Sequence, residues 1–349
     1  MRYKNLVEMP EDCCRRYGDR PLYGTRTNAG YHWTNYSDFA IQVDALRAGL
    51  AALGIARGDT VAIIADNCVE WAVGAYAAYG LGARYVPRYE SQHPDERDYI
   101  IVDSDAKLVL VRDASTATEL QQRVGNLGCL QHVVAIDPAT PDCVTLASLK
   151  RLGQGAPVLP VPIGHGQVAG LVYTSGTTGN PKGVIITHGN LLAQIESVSK
   201  SQNVLPDDCS VSILPWGHLM GQTVEVHLLI YCGISAALLG NIANLATDLP
   251  VLRPTIIFAV PRVFTRIYDG VEQSITARGG FADWLYERSI RRAVRRNTPE
   301  PTSVAQRLLD VLAEHLILKD IRERLGGSLR FVVSGAAALS PEVIRFFDL

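Results

Sequence analysis

The chain has 349 residues, 47% of them apolar, enough to bury a large core as one large domain or two. Its formal net charge of −2 supplies no global attraction to nucleic acid or to an anionic membrane. Seven scattered cysteines, odd in number and without a CxxC pair, argue against a disulfide framework and against a thiolate metal cluster. The opening Met1-Arg2-Tyr3-Lys4-Asn5 leads into mixed polar sequence, so no signal peptide is expected and a cytoplasmic setting is.

Residues 35–53 carry helical spacing at Phe39, Ile41, Val43, Leu46, Leu50 and Leu53, and they stop before Gly54, which suits a left-handed helix end. Residues 60–65 read as a strand and residues 68–79 as a largely apolar helix. Strands are predicted at 107–111 and 132–136, split by a helix rich in Glu, Gln and Ala. The Gly- and Pro-rich residues 153–166 read as a connection between two subdomains or as a surface loop. Residues 168–173 and 183–187 are further strands, and 210–214, 255–259 and 329–334 are strands each followed by a helical pattern. The longest apolar stretch, the twelve residues 228–239, falls short of a bilayer span and breaks at Gly233, so it reads as a core helix followed by a core strand. Such alternation predicts an α/β fold of layered, mainly parallel sheets flanked by helices.

The chemistry concentrates in Tyr173-Thr174-Ser175-Gly176-Thr177-Thr178-Gly179-Asn180-Pro181-Lys182-Gly183-Val184. Glycines let backbone N–H groups turn inward to form a concavity for phosphate oxygens. The hydroxyls add donors, and Lys182 adds a mobile positive charge suited to a polyphosphate. The Walker spacing is absent, and the loop returns into a strand where a Walker loop opens into a helix. The alternative is a Gly/Thr-rich surface hairpin with a chance lysine, which composition and context disfavour.

This stretch resembles the signature loop of the adenylate-forming enzymes, the superfamily of acyl-CoA synthetases, peptide-synthetase adenylation domains and luciferases. Thr187-His188-Gly189-Asn190, Leu214-Pro215-Trp216-Gly217-His218, Gly80-Leu81-Gly82-Ala83-Arg84-Tyr85-Val86-Pro87 and Ser334-Gly335-Ala336-Ala337-Ala338-Leu339 resemble further family segments in the family's order. Val260-Pro261-Arg262-Val263-Phe264 and Leu339-Ser340-Pro341-Glu342-Val343 are closest to long-chain fatty acyl-CoA synthetases. They weaken a peptide-synthetase reading.

The resemblance implies ATP-dependent activation of a fatty acid, followed by thioesterification. A carboxylate attacks the α-phosphorus of ATP, pyrophosphate leaves, and the CoA thiol then displaces AMP. Such transfer rests on positioning and charge neutralisation. By resemblance, Thr174 helps hold Mg²⁺, while Ser175, Gly176, Thr177, Thr178 and Gly179 wrap the β- and γ-phosphates. Lys182 balances their charge, and Gly335, Ala336 and Ala337 lie against adenine. His218 sits beside the acyl pocket near the reacting carboxylate; the plainer reading is a core histidine donating to a carbonyl. Trp216, Met220 and Gln222, with Val224 and Val226, are the expected pocket. Gln222 occupies the place of a tryptophan gate found in some long-chain members, which leaves acyl length open. His188 reads as structural beside the capping residues Thr187 and Asn190, and His227 as core.

Arg288, Arg291, Arg292, Arg295 and Arg296 follow the aromatic Phe281, Trp284 and Tyr286. Such a helix can lie on an anionic membrane, but Asp283 and Glu287 favour a solvated face, so peripheral membrane contact is not the favoured expectation. Relatives continue into a Tyr-Gly-x-Thr-Glu motif, a ribose-binding aspartate and a small mobile C-terminal domain, none of which can be matched here. The expectation is therefore an incomplete N-terminal AMP-binding domain over residues 1–349, with its C-terminal domain or subunit elsewhere. Its expected partners are fatty acid, ATP and CoA, and not nucleic acid. The alternative is a non-catalytic remnant or split-enzyme subunit that keeps the fold.

Overall fold

The computed structural model describes residues 2–137, 143–174, 179–295 and 303–349, the side chains of 292–295 excepted. The chain divides into two units, Met1–Asp207 with Pro215–Gly240, and Asp208–Leu214 with Asn241–Leu349.

In the first unit, β1 (Pro21–Thr27) and β2 (Gly30–Asn35) form an antiparallel pair, and β1 also pairs in parallel with a late strand, Ser235–Leu238. The main sheet contains β3 (Thr60–Ile64), β4 (Arg84–Arg88), β5 (Ala106–Val111), β6 (His132–Ala135), β7 (Val144–Thr145), β8 (Val168–Thr174) and β9 (Lys182–Thr187). Its spatial order is β7-β6-β5-β3-β4-β8-β9, parallel throughout except for the antiparallel β8–β9 pair. Central β3 is buried along its whole length, as a strand covered by helices on both faces must be. This is the α/β architecture of mostly parallel sheets and flanking helices that the alternating pattern predicts.

The helices of this unit are α1 (Glu8–Tyr17), α2 (Tyr36–Ala52), α3 (Val69–Gly80), α4 (Pro94–Asp103), α5 (Ala114–Gln121), α6 (Leu146–Gln154), α7 (His188–Ser201), α8 (Leu219–Gly221) and α9 (Leu228–Cys232). Asn35 caps α2 by accepting from the Asp38 amide at 2.6 Å, and Gly54 follows its end with φ +77°. Between α8 and α9 the chain winds as a π-helix, Gln222–His227, which the periodicity does not reveal. The apolar stretch 228–239 is α9, a left-handed Gly233 (φ +81°) and the strand Ser235–Leu238.

Gly153 lies within α6 and does not begin a connection. A Cβ there would fall 1.9 Å from the Ala45 carbonyl oxygen of α2 and 2.6 Å from the Gly49 nitrogen. Residues 153–166 all belong to the first unit.

The second unit holds β10 (Cys209–Ser212), β12 (Ile256–Ala259) and β13 (Phe331–Ser334), Ser235–Leu238 being β11. β12 and β13 pair in parallel from Ile256↔Phe331 to Ala259↔Ser334. Its helices are α10 (Leu245–Leu252), α11 (Pro261–Thr276), α12 (Gly280–Arg295), α13 (Val304–Ala313), α14 (Lys319–Arg324) and α15 (Pro341–Phe347). Ser340 caps α15, with Pro341 in its first turn. Among the described residues no helix is long and apolar enough to cross a membrane.

The α2–α6 contact predicts that Gly153→Ala, which forces the two backbones apart, lowers stability by about 1–3 kcal/mol. Denaturant unfolding of the variant beside the parent measures this.

Candidate functional site

The glycine- and threonine-rich loop joins β8 to β9 as a hairpin. Thr174, the last residue of β8, is the register partner of Lys182, the first of β9, and both are exposed. Ser175, Gly176, Thr177 and Thr178 lie outside the described residues. Gly179 has φ +150°, and a Cβ there would meet nothing within 4 Å among the described residues. Among the described residues no acidic group stands within ion-pair distance of Lys182.

The loop leaves from an anchored strand end. The Tyr173 hydroxyl donates to Asp103 Oδ2 of α4 at 2.6 Å, and the Arg88 guanidinium lies 5.7 Å from its ring centroid. Burial pulls the Arg88 pKa down, and Arg88 Nε donates to Gln92 at 2.6 Å. After β9, Thr187 and Asn190 cap α7 reciprocally: the Asn190 amide donates to Thr187 Oγ1 at 3.1 Å, and the Thr187 amide to Asn190 Oδ1 at 3.0 Å.

The segment carrying His218 is held from below by Trp216. This side chain is wholly buried between Tyr23 and Trp71, with ring centroids 5.4 and 5.6 Å away. Its indole N–H donates to Glu225 Oε2 at 3.1 Å, and its backbone amide donates to Asn67 Oδ1 at 2.9 Å. Two residues on, His218 is exposed, its ring 5.3 Å from that of Tyr89. A Cβ on Gly217 would fall 2.5 Å from the Tyr89 ring, so the turn needs glycine to bring the two rings together. The Tyr89 hydroxyl is buried without a hydrogen-bond partner among the described residues, and burial pushes its pKa up to about 12.

Met220 and Val224, with Leu219 and Thr223, line an open pocket of about 520 Å³ faced on the other side by Ile186, Asn190, Leu191, Gln194 and Val198. Trp216 and Val226 belong to the core instead. Gln222 is 4% exposed, its amide nitrogen without a partner among the described residues. Asn67, Tyr89, Asp103 and Glu225 are supports that sequence reasoning missed. Only Glu225 carried a signal, as a carboxylate in an apolar run.

His188 and His227 are both fully buried. The Leu6 amide donates to His188 Nδ1 at 3.3 Å, and His227 Nδ1 lies 2.7 Å from the Tyr76 hydroxyl. Desolvation lowers their pKa values to about 4 and about 3. In the second unit, Gly335, Ala336 and Ala337 follow β13, and Ala336 holds φ +68°, a conformation a residue with a Cβ rarely adopts. The hydroxyl of the preceding Ser334 is buried with no partner among the described residues.

The first unit thus carries a Gly-rich hairpin, an exposed histidine on a buried aromatic support and a pocket with an apolar lining. The AMP-binding enzyme model matches residues 10–348, and the chain belongs to that family. Curated relatives include the peroxisomal long chain acyl-CoA synthetase 7 of Arabidopsis thaliana, 30% identical over 95% of this chain and 49% of its own. The long-chain-fatty-acid–CoA ligase 6 of Mus musculus is 30% identical over 94% of this chain and 49% of its own. The chain thus spans about half the length of these relatives. Among solved structures, the adenylation domain of a carboxylate reductase from Mycobacterium chelonae superposes with TM-score 0.75 at 22% identity, covering 99% of this chain and 56% of that one. The N-terminal domain of FACL13 from Mycobacterium tuberculosis gives 0.72 at 20% identity, covering 99% and 73%.

Two predictions follow from the histidines. Because His188 and His227 are held below the ordinary value of 6.5, their contribution to stability is complete above that pH. It is lost as pH falls toward about 4 and about 3. Unfolding free energy should drop by up to about 1.4 kcal/mol per pH unit for each histidine through this window, and His227→Gln should flatten the slope. Gly217→Ala must displace the Tyr89 ring, so the His218 imidazole resonances should shift in NMR spectra while the His227 resonances stay in place.

Proposed function

We propose that this chain carries the ATP- and acyl-binding part of an AMP-forming fatty acyl-CoA ligase. The observation that carries the reading is the β8–β9 hairpin, with Thr174 opposite Lys182 at the root of the glycine-rich loop. An exposed hydroxyl and an exposed ammonium flanking a loop of small residues fit the β- and γ-phosphates of ATP. Ser175, Gly176, Thr177, Thr178 and Gly179 wrap those phosphates, and Lys182 balances their charge. Gly335, Ala336 and Ala337 serve the adenine.

Among the described residues no group of three or more His, Cys, Asp or Glu stands together as a metal site. Mg²⁺ would arrive largely on substrate phosphates and take the Thr174 hydroxyl as a protein ligand. Bound there, the ion neutralises charge on the polyphosphate. His218 lies at the mouth of the segment that lines the apolar cavity, where the carboxylate of a medium or long fatty acid is to be placed. Met220 contacts the acyl chain, and Trp216 positions the segment. The buried Tyr89 hydroxyl and the Gln222 amide nitrogen, both without a partner among the described residues, are the polar groups a bound ligand would satisfy. CoA takes the acyl group in the second half-reaction.

The test is fatty-acid-dependent exchange of labelled pyrophosphate into ATP. Lys182→Ala should lower it about 100-fold, the scale of losing one donor that acts in the transition state. Thr174→Ala should raise the Mg²⁺ requirement. Exchange unaffected by both substitutions removes the assigned roles. Absence of exchange with every acid, from folded protein, favours the non-catalytic remnant or split-enzyme subunit.

A further inference from the structure

A buried charge is ordinarily met by a counter-charge, because an unpaired one is strongly destabilising. Among the described residues three arginines are buried, Arg47, Arg88 and Arg97. Arg47 Nη2 pairs with Asp44 Oδ1 at 2.9 Å, and Arg97 Nη2 with Glu119 Oε1 at 2.6 Å. Arg88, 6% exposed, has no carboxylate within ion-pair distance among the described residues. Its Nε donates to the neutral amide oxygen of Gln92 at 2.6 Å, and its guanidinium rests on the Tyr173 ring, 5.7 Å from the centroid. Glu96 acts on it through space but accepts from Gln92 Nε2 at 2.8 Å. Arg88 Nη1 and Nη2 make no hydrogen bond among the described residues, and neither is sealed from water as Arg84 Nε is.

The place of this cation in the sheet selects the anion. Arg88 is the last residue of β4, which lies beside β8. Counted from the Tyr85↔Gly170 partnership of these parallel strands, Arg88 falls level with Tyr173, one residue before Thr174. Thr174 opens the Gly-rich hairpin opposite Lys182, and both are exposed. The carboxyl ends of parallel strands are where α/β folds take their ligands. Two cations there without a carboxylate partner, Arg88 and Lys182, suit a multiply charged anion, since a single carboxylate balances only one of them. A guanidinium offers paired N–H donors that match two oxygens of one phosphoryl group, whereas an ammonium is a point charge. We propose that Arg88 is a second polyphosphate-binding residue, its free Nη groups taking two oxygens of the pyrophosphate moiety whose charge Lys182 shares. This role rests on the ligase reading above and adds to it a residue outside the hairpin. In the adenylation step a carboxylate oxygen bonds to the α-phosphorus, the bond from that phosphorus to the bridging oxygen breaks, and the electron pair leaves with pyrophosphate. The guanidinium meets that added charge without giving up a proton.

The experiment is calorimetric titration of the 349-residue chain with pyrophosphate in the presence of Mg²⁺, with AMP as the comparison ligand. Arg88→Met keeps an apolar stem and removes the charge. It should weaken pyrophosphate binding at least about tenfold and flatten its salt dependence, while AMP binding stays within about twofold. Arg88→Lys, which keeps the charge without the fork, should fall between the parent and Arg88→Met. Thermal unfolding separates binding from support. Without ligand, Arg88→Met should be at least as stable as the parent, because it removes a buried charge that no described residue pairs. The rise in Tm that pyrophosphate gives the parent should shrink in the variant. Lower ligand-free stability, with pyrophosphate and AMP binding weakened alike, overturns the proposal and leaves Arg88 as a prop under Tyr173. So does pyrophosphate binding that Lys182→Ala weakens while both Arg88 variants keep the parent's affinity, and that result leaves the ligase reading standing. A parent chain that binds no pyrophosphate overturns this role and the phosphate assignment of the hairpin together.

Discussion

Burial of Trp216 is the constraint on which the candidate site depends. An indole wedged between Tyr23 and Trp71 must satisfy its N–H, and it does so on Glu225, a carboxylate carried by the π-helix. Breaking that bond would leave the buried Trp216 indole donor without its acceptor, so the two ends of the 216–225 segment are tied to one geometry. Asn67, from the loop before α3, holds the Trp216 amide and ties the segment to the parallel sheet. His218 and the cavity wall at 219–224 are therefore placed by a buried aromatic anchor.

The same logic separates the three histidines that the motifs bring forward. His188 and His227 sit where water is excluded and are held neutral, one accepting from a backbone amide and the other paired with Tyr76. Their side chains support α7 and the π-helix and can meet no substrate. His218 is exposed, touches the ring of Tyr89 and sits at the N-terminal edge of the π-helix-bearing segment. Residue type alone does not distinguish a support from a reactive group. Burial does, and it sets the exposed His218 apart from the fully buried His188 and His227.

Much of the fold is legible in the sequence because its strongest signals are local. The spacing of Phe39, Val43, Leu46 and Leu50, the cap at Asn35 and the left-handed Gly54 all point to α2 as it stands, within a residue or two. The continuous apolar runs of β3 and β5 announce buried parallel strands. What stays hidden is non-local. Gly153 sits in a Gly-rich stretch that reads as a connection, yet its missing side chain is needed for α6 to approach α2. Glu225 and Tyr89 act through partners that no periodic pattern links to them. The π-helix escapes detection because its extra residue per turn breaks the 3.6 period on which helix recognition rests. Of the candidate site, the hairpin and the capping box follow from residue types at fixed spacing, whereas the support under His218 depends on contacts across more than a hundred residues of chain.

The α13 face shows a limit of pattern reading in the opposite sense. An amphipathic helix is ordinarily taken to bury its apolar stripe, since about 25 cal/mol is gained per Å² of apolar surface removed from water. Here α13 fully buries only Ala313 on its own length, with Leu309 half-buried and Ile317 buried just beyond, and leaves Val304, Leu308, Val311 and Leu312 exposed. The Arg288–Asp310 pair and the Arg278 contacts hold the helix in that orientation. A rotation about the helix axis that buried Leu308 and Leu316 would carry Asp310 away from Arg288 and would bury charge with the stripe. The orientation is thus set by polar contacts at the expense of apolar burial.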